Sequence, residues 1–216
     1  MLAATLITFG SLAGGANAAT IIATDNFDGL TYTTETGWNG SGPATTGQWS
    51  VAATGGLGSG RTAVDNDSLG YTGVPTPQSG TGYGQFSNGF RSAWVGTISD
   101  TAGHVFGVGD KVSIDFFAAQ RTGSGELAFT IALIGADTLN FAGSFAPTST
   151  SYDAFNTGEV TITTAGSYNV VFTSVAQAND RTSFIDSVSY SVAVPEPSST
   201  ALLGLGGLAL MLRRRR

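Results

Sequence analysis

The chain has 216 residues, 31 of them glycine and none cysteine, so a disulfide framework, a thiolate zinc site and a cysteine nucleophile are all excluded. Charged residues make up 11%, against roughly 25% in an average soluble protein, so stability must come from apolar burial and backbone pairing. Four of the nine basic residues are Arg213, Arg214, Arg215 and Arg216, and setting these and Glu196 aside leaves five basic against fourteen acidic residues. That balance excludes nucleic acid as a partner, because phosphate backbones need clustered Lys and Arg to displace counterions.

At the N-terminus, Leu2 to Ala13 form an apolar stretch followed by Ala16, Asn17 and Ala18, an A-x-A pattern that predicts signal-peptidase cleavage before Ala19. No Lys or Arg precedes the apolar stretch, which departs from the usual charged start. The expected organisation is a signal helix over 1–18, one folded domain over 19–193 and a C-terminal segment over 194–216. A domain of that length can bury a real core.

Within the domain, period-two alternation dominates and helical periodicity is nearly absent. It predicts strands around Gln48–Ala52, Arg91–Ile98, Val112–Phe116, Leu127–Leu133, Leu139–Phe145, Val160–Thr164, Tyr168–Phe172 and Phe184–Val192. Gly, Asn, Asp and Ser clusters separate them, and these spacings favour an all-β antiparallel sandwich. Gly55, Gly56, Gly58 and Gly60 lack the Lys-Ser/Thr ending of a phosphate loop and read as a flexible connection. Asp65, Asn66, Asp67 and Ser68 read as an Asp/Asn turn, since no glycine follows Asp67 and no glutamate closes a calcium loop.

His104 is the single histidine and reads as a solvated loop residue; no G-x-S-x-G elbow accompanies it. Trp49 and Trp94 fall in strand-like alternation and read as core. Trp38, within Gly37–Gly42, and Tyr83, between Gly82 and Gly84, sit in glycine-rich stretches; each is either a stacking platform for a sugar or packing beneath a loop. A regular last strand would place Phe184, Asp186, Val188, Tyr190 and Val192 on one apolar face, where a carboxylate must find partners.

The chain ends in Val194, Pro195, Glu196, Pro197, Ser198 and Ser199, then an apolar run from Ala201 to Leu212, then the four arginines. This order resembles the PEP-CTERM sorting signal over Pro195 to Arg216. Twelve residues at 1.5 Å per residue span about 18 Å, short of a hydrocarbon core of about 30 Å, so the expected short transmembrane helix is a weak lasting tether. The arginines are expected on the cytoplasmic side as its anchor. The resemblance implies recognition of Pro195, Glu196 and Pro197 by an exosortase-type processing enzyme, a membrane-tethered precursor, and release or transfer to the cell surface of polysaccharide-producing bacteria.

Three segments resemble a galactose-binding-like jelly roll, the fold of many carbohydrate-binding modules: Gly109, Asp110 and Lys111 opening a strand to Phe117; the threonine-rich Glu159–Thr164 leading to Tyr168–Phe172; and the closing Ser183–Val188. In such modules an acidic residue of the closing strand helps hold a structural calcium, and the resemblance puts Asp186 in that role with Asp25 and Asp28 supplying further oxygens. The alternative for Asp186 is capping of turn amides or pairing with Arg181. The expected function is a non-catalytic surface or extracellular-matrix protein in contact with exopolysaccharide. The rival is a secreted polysaccharide hydrolase or lyase working through Asp or Glu.

Overall fold

The computed structural model describes residues 20–28, 39–41, 49–54, 60–65, 72–87, 95–100, 102–177 and 179–194. The expected signal helix, the expected C-terminal helix, Trp38, Trp94, Pro195 to Pro197 and the four arginines lie outside them. The chain divides into Ala19–Pro195, which holds every described strand, and a unit of the two ends, Met1–Ala18 with Glu196–Arg216.

The described strands are β1 (Thr20–Asp25), β2 (Asn39–Ser41), β3 (Trp49–Thr54), β4 (Gly60–Asp65), β5 (Tyr83–Ser87), β6 (Val95–Asp100), β7 (His104–Phe106), β8 (Lys111–Gln120), β9 (Phe129–Gly135), β10 (Thr138–Asn140), β11 (Asp153–Asn156), β12 (Val160–Thr161), β13 (Gly166–Ser174) and β14 (Thr182–Ala193). One sheet runs β11-β8-β14-β5-β4-β2, with β1 also on β14 and β12 also on β8. The second runs β10-β9-β13-β6-β3, with β7 also on β13. All pairs are antiparallel except β2 with β4. The all-β sandwich expectation holds, and no described residue is helical.

Between the sheets the alternating residues of β8 and β9 interdigitate as their patterns predict. Val112, Ile114 and Phe116 from one sheet meet Phe129, Ile131 and Leu133 from the other, all buried. Phe116 is the hub. Its ring lies 5.3 Å from Phe145, 5.4 Å from Phe155, 5.7 Å from Phe129 and 5.8 Å from Phe172. Trp49 is fully buried against Phe27 at 4.7 Å, as its strand alternation suggests.

Several local expectations change. Gly60 opens β4 instead of closing a loose connection, and Tyr83 begins β5 instead of sitting in a loop. The threonine-rich stretch keeps only two residues in β12, because Ile162 turns inward and exchanges backbone hydrogen bonds with Gly109 and Asp110. His104 is not a free loop residue. It stands on β7 with Nε2 3.0 Å from Asp100 Oδ2 and its ring 4.8 Å from Tyr190.

The last strand is not regular. Its pairing with β8 shifts register between Asp186 and Ser189, and Ser187 adopts φ 50. One extra residue reverses the side on which every later side chain falls. Ile185 before the bulge and Val188, Tyr190 and Val192 after it belong to the inter-sheet core. Phe184 and Asp186 therefore point to the opposite, outer face, which corrects the expectation that all five alternate residues share a side.

Candidate functional site

The outer face of the eight-stranded sheet carries the buried polar residues Gln85, Ser87, Thr182 and Asp186. Phe86 and Gly84 of β5 face the core, so Tyr83, Gln85 and Ser87 face outward, opposite Phe184 and Thr182 of β14. Tyr83 and Phe184 meet edge to face at 5.3 Å. Thr182 Oγ1 donates to Ser87 Oγ at 3.0 Å.

The segment 72–82 is fastened along this face. At the end of β8, Thr122 N donates to Gly73 O at 2.9 Å and Arg121 Nε donates to Thr72 O at 2.9 Å. Farther on, Asp186 Oδ2 accepts from Ser79 N at 3.0 Å, while its Oδ1 accepts from Ser187 N at 2.6 Å. Asp28 Oδ1 then accepts from Thr81 N at 2.7 Å and Gly82 N at 2.9 Å. Two carboxylates thus hold one loop by its amides.

Their electrostatics differ because their surroundings do. Burial raises Asp186 from 3.8 to about 6 against the pull of the Ser79, Ser187 and Gln78 amides, with the Asp28 charge adding to the rise. Asp28 is lowered, chiefly by the Thr81 amide against some desolvation and with help from Gly82. Burial, with the nearby Asp186 charge adding to it, pushes the Tyr152 hydroxyl well above its ordinary range.

Gly80 is the tightest point of the clamp. Its φ is +63, and a Cβ there would fall on the Asp28 carboxylate. Gly80→Ala is expected to cost about 2 kcal/mol or more, from backbone strain and from displacing Asp28 off two amides. Chemical denaturation checks this; an unchanged unfolding free energy would mean the clamp is not holding the loop.

Beside the clamp lies an open pocket of about 340 Å³ lined by Thr24, Asp25, Asn26, Ser79, Ser187 and Ser189. Every lining side chain is a hydroxyl, an amide or a carboxylate. The bulge makes half of it, since reversing the strand's parity at Ser187 turns Ser187 and Ser189 outward while their neighbours stay in the core. The other half comes from the Asp25-Asn26-Phe27-Asp28 turn, where Asp25 Oδ1 accepts from Phe27 N at 2.6 Å and Phe27, at φ 60, plunges into the core.

The structure brings Asp25, Asp28 and Asp186 to one region, but not into a calcium cage. Among the described residues no group of three or more His, Cys, Asp or Glu is placed to hold a metal ion. Asp25 Oδ1, Asp28 Oδ1 and both Asp186 oxygens instead accept backbone N–H groups. Of the two alternatives for Asp186, capping of turn amides is the one realised, while Arg181 pairs with Glu126 at 3.2 Å. Tyr83 has no exposed ring face, so in this arrangement it packs beneath the loop and does not offer a stacking platform.

Three residues escaped sequence reasoning. Gln85 is fully buried on the outer face with neither side-chain atom hydrogen-bonded in the protein, and the Tyr152 hydroxyl is in the same position. Ser189 gave no signal at all, because its outward direction depends on the bulge. Of the glutamates among the described residues, Glu126 is bound to Arg181 and Glu159 lies 3.4 Å from Lys111.

The fold is an all-β sandwich similar to that of carbohydrate-binding modules. Among solved structures the chain is similar to the CBM22-1 xylan-binding domain from Paenibacillus barcinonensis Xyn10C, at 14% identity and a TM-score of 0.50, covering 83% of this chain and 98% of that one. Another neighbour, the C-terminal family 22 carbohydrate binding module of Clostridium thermocellum Xyn10B, has 13% identity and a TM-score of 0.47 over 81% of this chain and 96% of that one. No curated protein matches the chain.

Residues 193–216 match the family model of the PEP-CTERM protein-sorting motif. The chain is accordingly an exported protein whose precursor is anchored in the membrane and processed for surface display.

Proposed function

We propose that the exported domain is a non-catalytic glycan-binding module of the cell surface or extracellular matrix, and that it seats polysaccharide on the outer face of the eight-stranded sheet. The observation that carries this reading is the open pocket whose six lining side chains are all hydrogen-bonding groups. Sugar hydroxyls need such paired donors and acceptors; three serines, a threonine and an asparagine provide both, and the Asp25 carboxylate adds a charged acceptor. The structural neighbour described as xylan-binding supports a glycan ligand in general, and the sorting motif supports its being met outside the cell.

The test is affinity electrophoresis of the secreted protein on exopolysaccharide and xylan, beside a Ser189→Phe variant that fills the pocket. Binding is expected to weaken about tenfold or more, corresponding to about 1.4 kcal/mol, with an unchanged melting temperature. Undiminished binding by the variant would remove the pocket from the account. Absence of binding by the native protein to every polysaccharide would remove the function. Release of reducing ends, abolished by a single carboxylate substitution, would favour the hydrolase or lyase reading instead.

A further inference from the structure

Seven large hydrophobic residues are exposed among the described residues, and their distribution is uneven. Strand register places six of them at one pole. Thr20 pairs with Val192, Ala193 with Lys111, and Lys111 with Thr161, so the start of β1, the end of β14, the start of β8 and β12 lie side by side. The turn at Gly109 and Asp110 is hydrogen-bonded to Ile162, which leads into β13. There Val105 pairs with Ser167, and Ile134 pairs with Asn169.

Ile21 (62% exposed), Ile22 (43%), Val105 (80%), Val108 (67%), Ile134 (43%) and Val194 (61%) therefore surround the point where the chain leaves the sandwich. Val175, the seventh, follows the far end of β13, nine residues and about 30 Å away. Isolated exposed apolar residues need no explanation, but a ring of them around a chain exit does.

The exit leads to the membrane. Only Val194 separates the last strand residue, Ala193, from Pro195, and the apolar run begins at Ala201, eight residue steps past Ala193. Fully extended, those steps reach about 28 Å, so the pole of an anchored precursor stays within that distance of the hydrocarbon. Tethering at such range makes even a weak surface affinity count, because the second contact is intramolecular.

We propose that this pole is a seat for the lipid interface of the bilayer, which the anchored precursor rests on until its sorting segment is cut. The charges at the pole choose the kind of surface. Lys111 is paired with Glu159, and Asp110 and Asp137 add two further carboxylates among the described residues. An acidic rim disfavours anionic headgroups, so the contact is with zwitterionic lipid and is made by the valines and isoleucines. Seated in this way, the domain holds Pro195, Glu196 and Pro197 at headgroup level, where a membrane-embedded enzyme can reach them. After cleavage the patch loses its tether, and the domain leaves the surface.

The chain lacks cysteine, so single-cysteine labelling is unambiguous. Val108→Cys and Val175→Cys variants of the full chain, each carrying an environment-sensitive fluorophore, are reconstituted into phosphatidylcholine vesicles. The probe at 108 is expected to shift to shorter wavelength and to be quenched by spin-labelled acyl chains, while the probe at 175 stays water-like. Val105→Cys repeats the measurement at the same pole should Val108→Cys fail to fold. Co-flotation of the chain with the vesicles reports separately on the sorting segment. A chain that floats while 105 and 108 remain in water overturns the seat and leaves the anchor standing; a chain that does not float overturns both. Slower processing in cells by a Val105→Ser/Val108→Ser variant, with probes that stay wet in protein-free vesicles, would assign the patch to a protein partner and likewise overturn the lipid seat.

Discussion

Replacing Phe116 by alanine is expected to destabilise the domain by about 4 kcal/mol, the upper range for removing a buried ring. Four aromatic rings pack on Phe116 from β9, β11, β13 and the loop before β11, so the vacated space cannot collapse from one side alone. Phe129 and Phe172 belong to the six-stranded sheet, and Phe155 to the eight-stranded one. The substitution therefore weakens the contact between sheets as well as within one. For a domain of this length each kcal/mol lowers the melting temperature by roughly 2–4 °C, which makes the expected loss about 12 °C. Calorimetry checks it; a loss of about 3 °C or less would mean that Phe116 is not the hub its ring contacts describe.

The second large effect concerns pH. Asp186 is raised in the folded state, so the stability it contributes is complete below its unfolded value of 3.8 and is lost as pH rises through about 6. That interval corresponds to about 3 kcal/mol at most. Asp28 is lowered, so its contribution is present above 3.8 and is lost as pH falls through its depressed value. The folded domain is thus favoured most in the mildly acidic window between the two, where the burial of Asp186 costs least. Asp186→Asn removes the first titration, so the advantage of the native chain over this variant is expected to shrink by about 2 kcal/mol from pH 4 to pH 8. A difference that stays constant over that range would refute the raised carboxylate. Millimolar calcium added after chelation is expected to move neither curve, since no group of three acidic ligands converges among the described residues; a calcium-dependent rise above pH 6 would favour the three-carboxylate site instead.

How legible the fold was depended on which interactions decide each element. Val112 to Phe116 and Leu127 to Leu133 alternate because each strand buries one side against the other sheet, and this requirement is written locally. β5 was missed because Tyr83, Gly84, Gln85, Phe86 and Ser87 are all buried, which erases alternation of apolar and polar residues. β1 ends in a turn whose Phe27 needs a positive φ, a conformation held by the Trp49 contact and the Asp25 side chain together. His104 lacked any local sign of Asp100, although only four positions separate them, because a turn and not a helix brings them together.

The candidate site shows the same division. Asp186 stood out by composition, as a carboxylate inside an apolar strand, and its need for partners followed from the cost of burying charge. The partners themselves, amides more than a hundred residues earlier in the chain, could not be read from it. Tyr83 carried a plausible sugar-stacking context of flanking glycines, yet Gly84 is there because Ile185 and Ile98 crowd the backbone.

By itself the sequence determined the destination of this protein, because the proline-glutamate-proline step, the short apolar run and the arginines form a linear code that acts before and apart from folding. It also determined the all-β class, since period-two burial needs only neighbouring residues. Tertiary structure alone decided the site: one extra residue at Ser187 exchanges the two sides of β14, and a strand's facing is a property of its partners' register and not of its own letters.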